Sequence, residues 1–317
     1  MKTFLLKLML FFSIFPLIIA LGLFMPATPR VSKSLLFSKI HKDTLLKNTP
    51  TPRIIFIGGS NLSFGLNSKA IKDSLEINPI NTGIHASIGL IYMMDNTLPY
   101  VQSGDIVVIA AEYEQFYGTF AYGGHELLRI IFDVAPSEWN RLRREQWINI
   151  IPEIPKYIFS KFKVTEYVNV KESDIYGVNS FNEYGDVYKH WNLEKEKFAP
   201  ANAHKEQLNH AVVNELKKFR ENLQKKGAFL FITYPGFQST SFENQRKDII
   251  NVEEELKKNK FCLLGTPERY KMPDALMFNT AYHLSKEGVD YRTLLLIEDL
   301  NKAGVCKKSK VGQAGRP

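Results

Sequence analysis

Short β-branched runs that alternate with helical segments constrain this chain more than anything else in it. "IIFIG" (54–58), "INPIN" (77–81), "DIVVIAA" (105–111), "AFLFITYP" (228–235) and "FCLL" (261–264) read as strands. Between them, "NSKAIKDSL" and "LIYMMDNTLPYV" read as helices, as do 205–227, about 243–259, and a last segment from Ser285. In the 205–227 segment Leu208, Val212, Leu216, Phe219 and Leu223 fall on one helical stripe, and Gly227 supplies a stop. Apolar strands this short, each followed by a helix, predict a parallel sheet with helices on both faces. No internal repeat is visible.

From Gly118 to His204 the alternation stops. This stretch is rich in prolines and aromatics, among them Trp139, Trp147, Tyr157, Tyr167, Tyr176 and Trp191, and opens on a helical "GGHELLRIIFDV". Insertions of this length within an α/β domain are usually functional. The expectation is a cap over the carboxyl edge of the sheet, where such folds bind ligands. Its aromatics suit either the cap's own core or the faces of sugars.

The N-terminus has a different character. After Lys2 and Lys7 comes an unbroken apolar run from Leu8 to Met25. Counted from Phe4, it is long enough for the roughly 20 residues that cross a bilayer, and longer than the core of a signal peptide. The expected organisation is an uncleaved transmembrane signal anchor over 1–29, a polar stalk over 30–52, an α/β domain over 53–303, and a basic tail over 304–317. Residues 4–25 would contact lipid. With the N-terminus in the cytoplasm, the domain lies on the extracytoplasmic side, in periplasm or at the cell surface.

Composition excludes several classes. The chain has 317 residues, a net charge of +8 and two cysteines, Cys262 and Cys306. The basic residues are dispersed, which argues against nucleic acid and suits an anionic membrane surface. The cysteines form neither a scaffold nor a metal motif, so no metal and no cofactor are expected. "GGSNLSFG" lacks the Gly-Lys-Ser/Thr of a P-loop and the spacing of a dinucleotide fingerprint.

Ser60 directly follows the first strand and opens a helix. A serine there is either an N-cap or a nucleophile at the sheet's open edge. A distant segment, "MFNTAYHLSKEGVDYRT", places His283 before the last helix and on the same edge of a parallel sheet. A serine attacks an acyl carbon only with a base in reach, and His283 is placed to be that base. His85, in the loop after the second strand, is a rival.

These segments resemble the SGNH/GDSL hydrolase family. "GGSN" (58–61) stands where that family carries its nucleophilic serine, "VVIAAEYE" where its third block lies, and "NTAYHLSKEG" is similar to its final Asp-x-x-His-Leu block. The resemblance covers 53–300 apart from the insertion. It implies the α/β class, as a three-layer α/β/α sandwich with a parallel, flavodoxin-like sheet, here with a helical and aromatic cap insertion. It also implies Ser60 as nucleophile, His283 as base, and an oxyanion site near Gly59, Asn61 and the loop bearing Gly83, Ala86 and Gly89.

The chain departs from the pattern twice. The third-block asparagine is missing, and Glu112, Tyr113 and Glu114 stand there instead, of which Tyr113 can donate a hydrogen bond. The acid three residues before the histidine is replaced by Thr280, with Asn279 beside it. Asparagine can orient an imidazole but cannot stabilise its cation, and replacing a triad acid costs about 10⁴ in rate. Glu112 or Glu114 could supply the acid from the third strand. Anchored relatives in this family add or remove acyl groups on envelope polysaccharides, often beside a membrane-bound O-acyltransferase. The implied function is a serine-dependent O-acyl, chiefly O-acetyl, esterase or acyltransferase acting on an acylated cell-surface glycan. The alternative is a non-catalytic glycan-binding or assembly partner of such an acyltransferase.

Overall fold

The computed structural model describes residues 1–305. It opens with α1 (Lys2–Phe24), a helix long and apolar enough to cross a membrane and almost wholly exposed. The domain is organised by β1 (Arg53–Gly58), whose alternating side chains decide the two faces of the sheet. Ile55 and Ile57 point into one core cluster, Ile54 and Phe56 into another, and all four are fully buried.

β1 pairs in parallel with β2 (Asn78–Asn81) and β3 (Ile106–Ala110), β3 pairs with β4 (Phe229–Thr233), and β4 with the short β5 (Leu263–Leu264). The strand order is β2-β1-β3-β4-β5, all parallel. One face is covered by α2 (Ser38–Asn48), α4 (Leu90–Thr97), α5 (His210–Lys225) and α6 (Arg246–Lys258), through Leu46, Ile91, Leu216 and Val252. The other is covered by α3 (Ser68–Leu75) and α7 (Lys286–Lys302), through Ile71, Leu75, Leu296 and Leu300. This is the expected three-layer α/β/α sandwich. The chain reverses its direction across the sheet between β1 and β3, so the crevice at the carboxyl ends of those strands is where ligands of such sheets bind.

One expectation about organisation is corrected. Residues 30–52 are not a free stalk. They fold into a short helix (Pro29–Ser32), a 3-10 turn (Leu35–Phe37) and α2, burying Leu36, Lys39, Lys42 and Leu46. The Lys42 ammonium donates to the carbonyls of Asn81 and Gly185 at 2.9 and 2.7 Å, so this segment is fastened to β2 and to the insertion. Lys39 and Lys42, two of the residues whose polarity suggested a stalk, are buried with partners of their own.

The insertion flanks the site on two sides. Its first half, from His125–Arg129 through Ile154–Lys161, packs against Leu36, Ile84, Ile88 and Tyr92. Its second half crosses to the other side of the site, where Val187 N–H donates to Ser63 O at 2.8 Å and the His190 ring meets Leu284 O at 3.0 Å. Of the aromatics singled out above, Tyr176 lines the cavity at the sheet edge, Tyr157 is core, and Trp139 and Tyr167 face outward. Cys262 is a free thiol. Cys306 and the basic tail from residue 306 lie outside the described residues.

Candidate active site

Gly58 of β1 is in register with Ala110 of β3. Two residues beyond each, Ser60 and Glu112 therefore emerge side by side. Ser60 begins a one-turn helix (Ser60–Ser63), and the turn before it is braced by Asn61. Asn61 Oδ1 accepts from Gly59 N–H at 3.1 Å, and its Nδ2 donates to Ala110 O at 2.9 Å. Gly59 has no room for a side chain: a Cβ there would lie 2.7 Å from Glu112 Oε1 and 2.8 Å from Ala86 Cα. Only glycine lets the serine turn close onto the Ala86 loop.

His283 is delivered from the opposite side by a small antiparallel ladder, Met277–Thr280 with His283–Leu284. Its ring stacks on Phe64 with centroids 4.1 Å apart and an interplanar angle of 10°. Its Nδ1 faces Asn279 Oδ1 at 2.9 Å, and Asn279 Nδ2 donates to Tyr176 Oη at 2.8 Å. With the carboxamide oxygen as acceptor, Nδ1 carries the proton and Nε2 is left as the basic nitrogen. Burial first, then the His190 and His85 rings, push the imidazole down to about 3, so it is neutral at physiological pH.

Ser60 and His283 line one cavity of about 640 Å³, together with His85, Ala86, Glu112, Glu114, Phe120, Arg129 and Tyr176. The hydroxyl's own hydrogen bond goes to Glu112, at 3.3 Å to Oε1. Glu112 is buried, also accepts the Asn61 N–H at 3.1 Å, and has no Lys or Arg within ion-pair distance among the described residues. Burial and the nearby charge of Glu114 push it up to about 8, against the opposing hydrogen bonds from Asn61 and Ser60. A carboxyl so placed is largely neutral near pH 7 and can donate as well as accept.

The remaining candidates divide. Ala86 lines the cavity as the first residue of a 3-10 turn and fits the place of a backbone donor. Gly83 and Gly89 do not: the Gly83 N–H donates to Asn81 Oδ1 at 3.0 Å and the Gly89 N–H to Ala86 O at 2.9 Å. The Asn61 amide holds the turn rather than facing a ligand. Tyr113 is corrected outright, since its ring packs on Phe237 inside a core cluster. Glu114 lines the cavity and accepts from Tyr282 Oη at 2.7 Å. His85 also faces the cavity, but its Nδ1 accepts from Ser87 N–H at 3.1 Å, which leaves Nε2–H as a donor and not a base. Phe64, Arg129 and Tyr282 also line the cavity without having been singled out beforehand. Phe64 lies one helical turn after Ser60, a spacing that could have signalled it.

Among the described residues no cluster of His, Cys, Asp or Glu could hold a metal ion. Compared with known proteins, the chain matches no family model and no curated protein sequence. Fold and site together define a class by geometry: a parallel α/β/α domain that gathers a serine, an asparagine-held imidazole and a buried carboxyl around one cavity at the carboxyl ends of its strands.

Proposed function

We propose that the chain is a serine-dependent O-acyl esterase or acyltransferase of the SGNH/GDSL kind, anchored by α1 and acting on acylated cell-envelope polysaccharide. The observation that carries this reading is that Ser60 and His283, far apart in sequence, line the same cavity with His283 Nδ1 held by Asn279. In the proposed reaction Ser60 Oγ attacks the ester carbonyl carbon while His283 Nε2 takes the hydroxyl proton. The tetrahedral oxyanion collapses, the sugar alcohol leaves with the proton from His283, and Ser60 holds the acyl group. Water attack then makes the protein an esterase, and attack by a second sugar hydroxyl makes it an acyltransferase.

The oxyanion needs donors, each worth roughly 3–4 kcal/mol of barrier. Ala86 N–H is one. Neutral Glu112 is the other, occupying the place of the family's asparagine, with Oε1 accepting from the serine turn and the second oxygen carrying the proton. A buried carboxylic acid used as a donor to an oxyanion has precedent in enzyme chemistry.

The extracytoplasmic side and a membrane-bound O-acyltransferase partner belong to the same proposal, supported by the long apolar α1 and by the resemblance. A second reading, a glycan-binding assembly partner without catalysis, is favoured by one observation: the hydroxyl bonds Glu112 rather than the imidazole. The full chain in detergent, assayed on a chromogenic acetate ester, separates the two. Turnover lost in Ser60→Ala supports the enzyme; equal rates in both proteins remove Ser60 from the mechanism.

A further inference from the structure

The insertion carries an apolar surface that the site does not use. Helix Ile154–Lys161 turns Tyr157 and Ile158 inward but leaves Phe159 70% exposed. Phe162 and Val164 follow at 54% and 73%, and Ile151 and Val168 are also bare. So many large apolar side chains open to solvent in one short segment mark a contact surface.

That segment is fastened to the point where α1 ends. A Cβ on Gly22 would lie 2.5 Å from Ile158 Cγ2, so the two helices touch only because residue 22 has no side chain. The Lys161 ammonium donates to Met25 O at 2.6 Å, Thr28 Oγ1 to Glu166 at 2.7 Å, and the Arg30 guanidinium to Thr165 O at 2.8 Å. Lys33 reaches Val170 O at 2.9 Å. The depth of Phe159 and Phe162 is therefore set by α1. At 1.5 Å per residue its 23 residues span about 35 Å, slightly more than the roughly 30 Å hydrocarbon core. The last turn of a spanning α1, and whatever packs on it, lies at the boundary between acyl chains and headgroups.

We propose that residues 151–168 form a second membrane-contacting element. Phe159, Phe162 and Val164 insert among the acyl chains of the leaflet where α1 emerges, and Lys156 and Lys163 meet the phosphates. This rests on reading α1 as a membrane span. The occupant is the bilayer itself, because the apolar face is continuous with the end of the anchor, and apolar side chains flanked by lysines are the pattern of interfacial segments. The cavity shares these elements: Leu35 and Leu36, in the segment that follows α1, line it, and Arg129 comes from the same half of the insertion. The site is thereby held at the membrane surface, where it meets substrates presented by the membrane rather than glycan free in solution.

Nitroxide labels test this on the full chain carrying Cys262→Ser and Cys306→Ser, reconstituted in vesicles of phosphatidylcholine and phosphatidylglycerol. Single cysteines are placed by Phe159→Cys, Phe162→Cys, Phe12→Cys within α1, and Ile250→Cys on the far helix α6. The expected result is that labels at 159 and 162, like the one at 12 but with a smaller ratio, are relaxed more by oxygen than by a water-soluble nickel chelate. Position 250 shows the reverse. The proposal is overturned if 159 and 162 behave as 250 does while 12 favours oxygen, which would leave the anchor standing. If 12 also favours nickel, the anchor reading falls and this inference with it. The vesicles contain no other protein, so a surface meant for a protein partner would read as nickel-accessible.

Discussion

β1 and β3 carry buried ionisable side chains at both of their ends, and the two ends treat them in opposite ways. At the amino ends Arg53 and Asp105 are fully buried and pair at 2.7 and 2.9 Å. Arg53 also donates to Leu46 O at 2.7 Å, and Asp105 accepts from Gln102 N–H at 2.7 Å. Every charge there has a counterpart. Beyond the carboxyl ends of these strands Glu112, and His283 on its own ladder, are buried without a counter-ion among the described residues, and both are driven toward their neutral forms. Buried charges that are paired make structure, whereas buried groups held neutral keep protons to give and to take. The difference separates a clamp from a site.

The sharpest way to break this comparison is at the serine. Ser60→Ala is expected to lower ester turnover by at least about 10³-fold with an unchanged melting temperature, since the hydroxyl has one long hydrogen bond to lose. At the other end the pattern reverses. Arg53→Met strands Asp105 in the core and is expected to cost about 3–5 kcal/mol in denaturant unfolding, while the surviving folded fraction keeps its turnover per molecule.

Glu112 sharpens the comparison through pH. Its folded pKa is raised from 4.5 to about 8, so its contribution to stability is complete below pH 4.5 and is lost as pH rises toward 8. The same ionisation removes the proposed oxyanion donor. Wild-type kcat/KM is expected to fall about tenfold per unit above pH 8. Glu112→Gln, always neutral and still a donor, should abolish that alkaline limb in a kcat/KM profile and flatten the loss of stability. A limb that survives in the variant assigns it to another group.

A smaller effect is expected at the imidazole. Asn279→Asp places a carboxylate on Nδ1, which stabilises the cation formed during attack. It should raise kcat by about tenfold or more and move the acid limb upward from pH 3. His85→Ala, which removes a donor and not a base, is expected to change kcat only a few-fold and to act mainly on KM.

Much of this arrangement was legible in the chain. Strand–helix alternation carried the sheet and its faces, because buried parallel strands must be short, apolar and separated by crossovers. Ser60 was readable because it follows a strand of the parallel sheet, and parallel strands send all such loops to one edge; His283 reaches the same cavity on a small antiparallel ladder outside that sheet, which the strand alternation did not foretell. What was not legible depended on long-range partners. Nothing local says that Lys42 reaches Asn81 and Gly185, so 30–52 read as a stalk. Nothing local says that the Gly83 and Gly89 amides are already engaged, or that Tyr113 turns into the core while Glu112 turns to the serine. Adjacent residues at a strand end point to opposite sides, and the sequence does not say which faces the cavity.

The central claim is that the Ser60 hydroxyl and the His283 imidazole act as one reactive pair. The most direct measurement is the rate of covalent labelling by a fluorophosphonate, followed by intact mass and peptide mapping on wild type, Ser60→Ala and His283→Ala. A single adduct on Ser60 is expected in wild type, none in Ser60→Ala, and labelling slowed by at least about 10²-fold in His283→Ala. An unlabelled wild type, or equal rates with and without the imidazole, would contradict the claim.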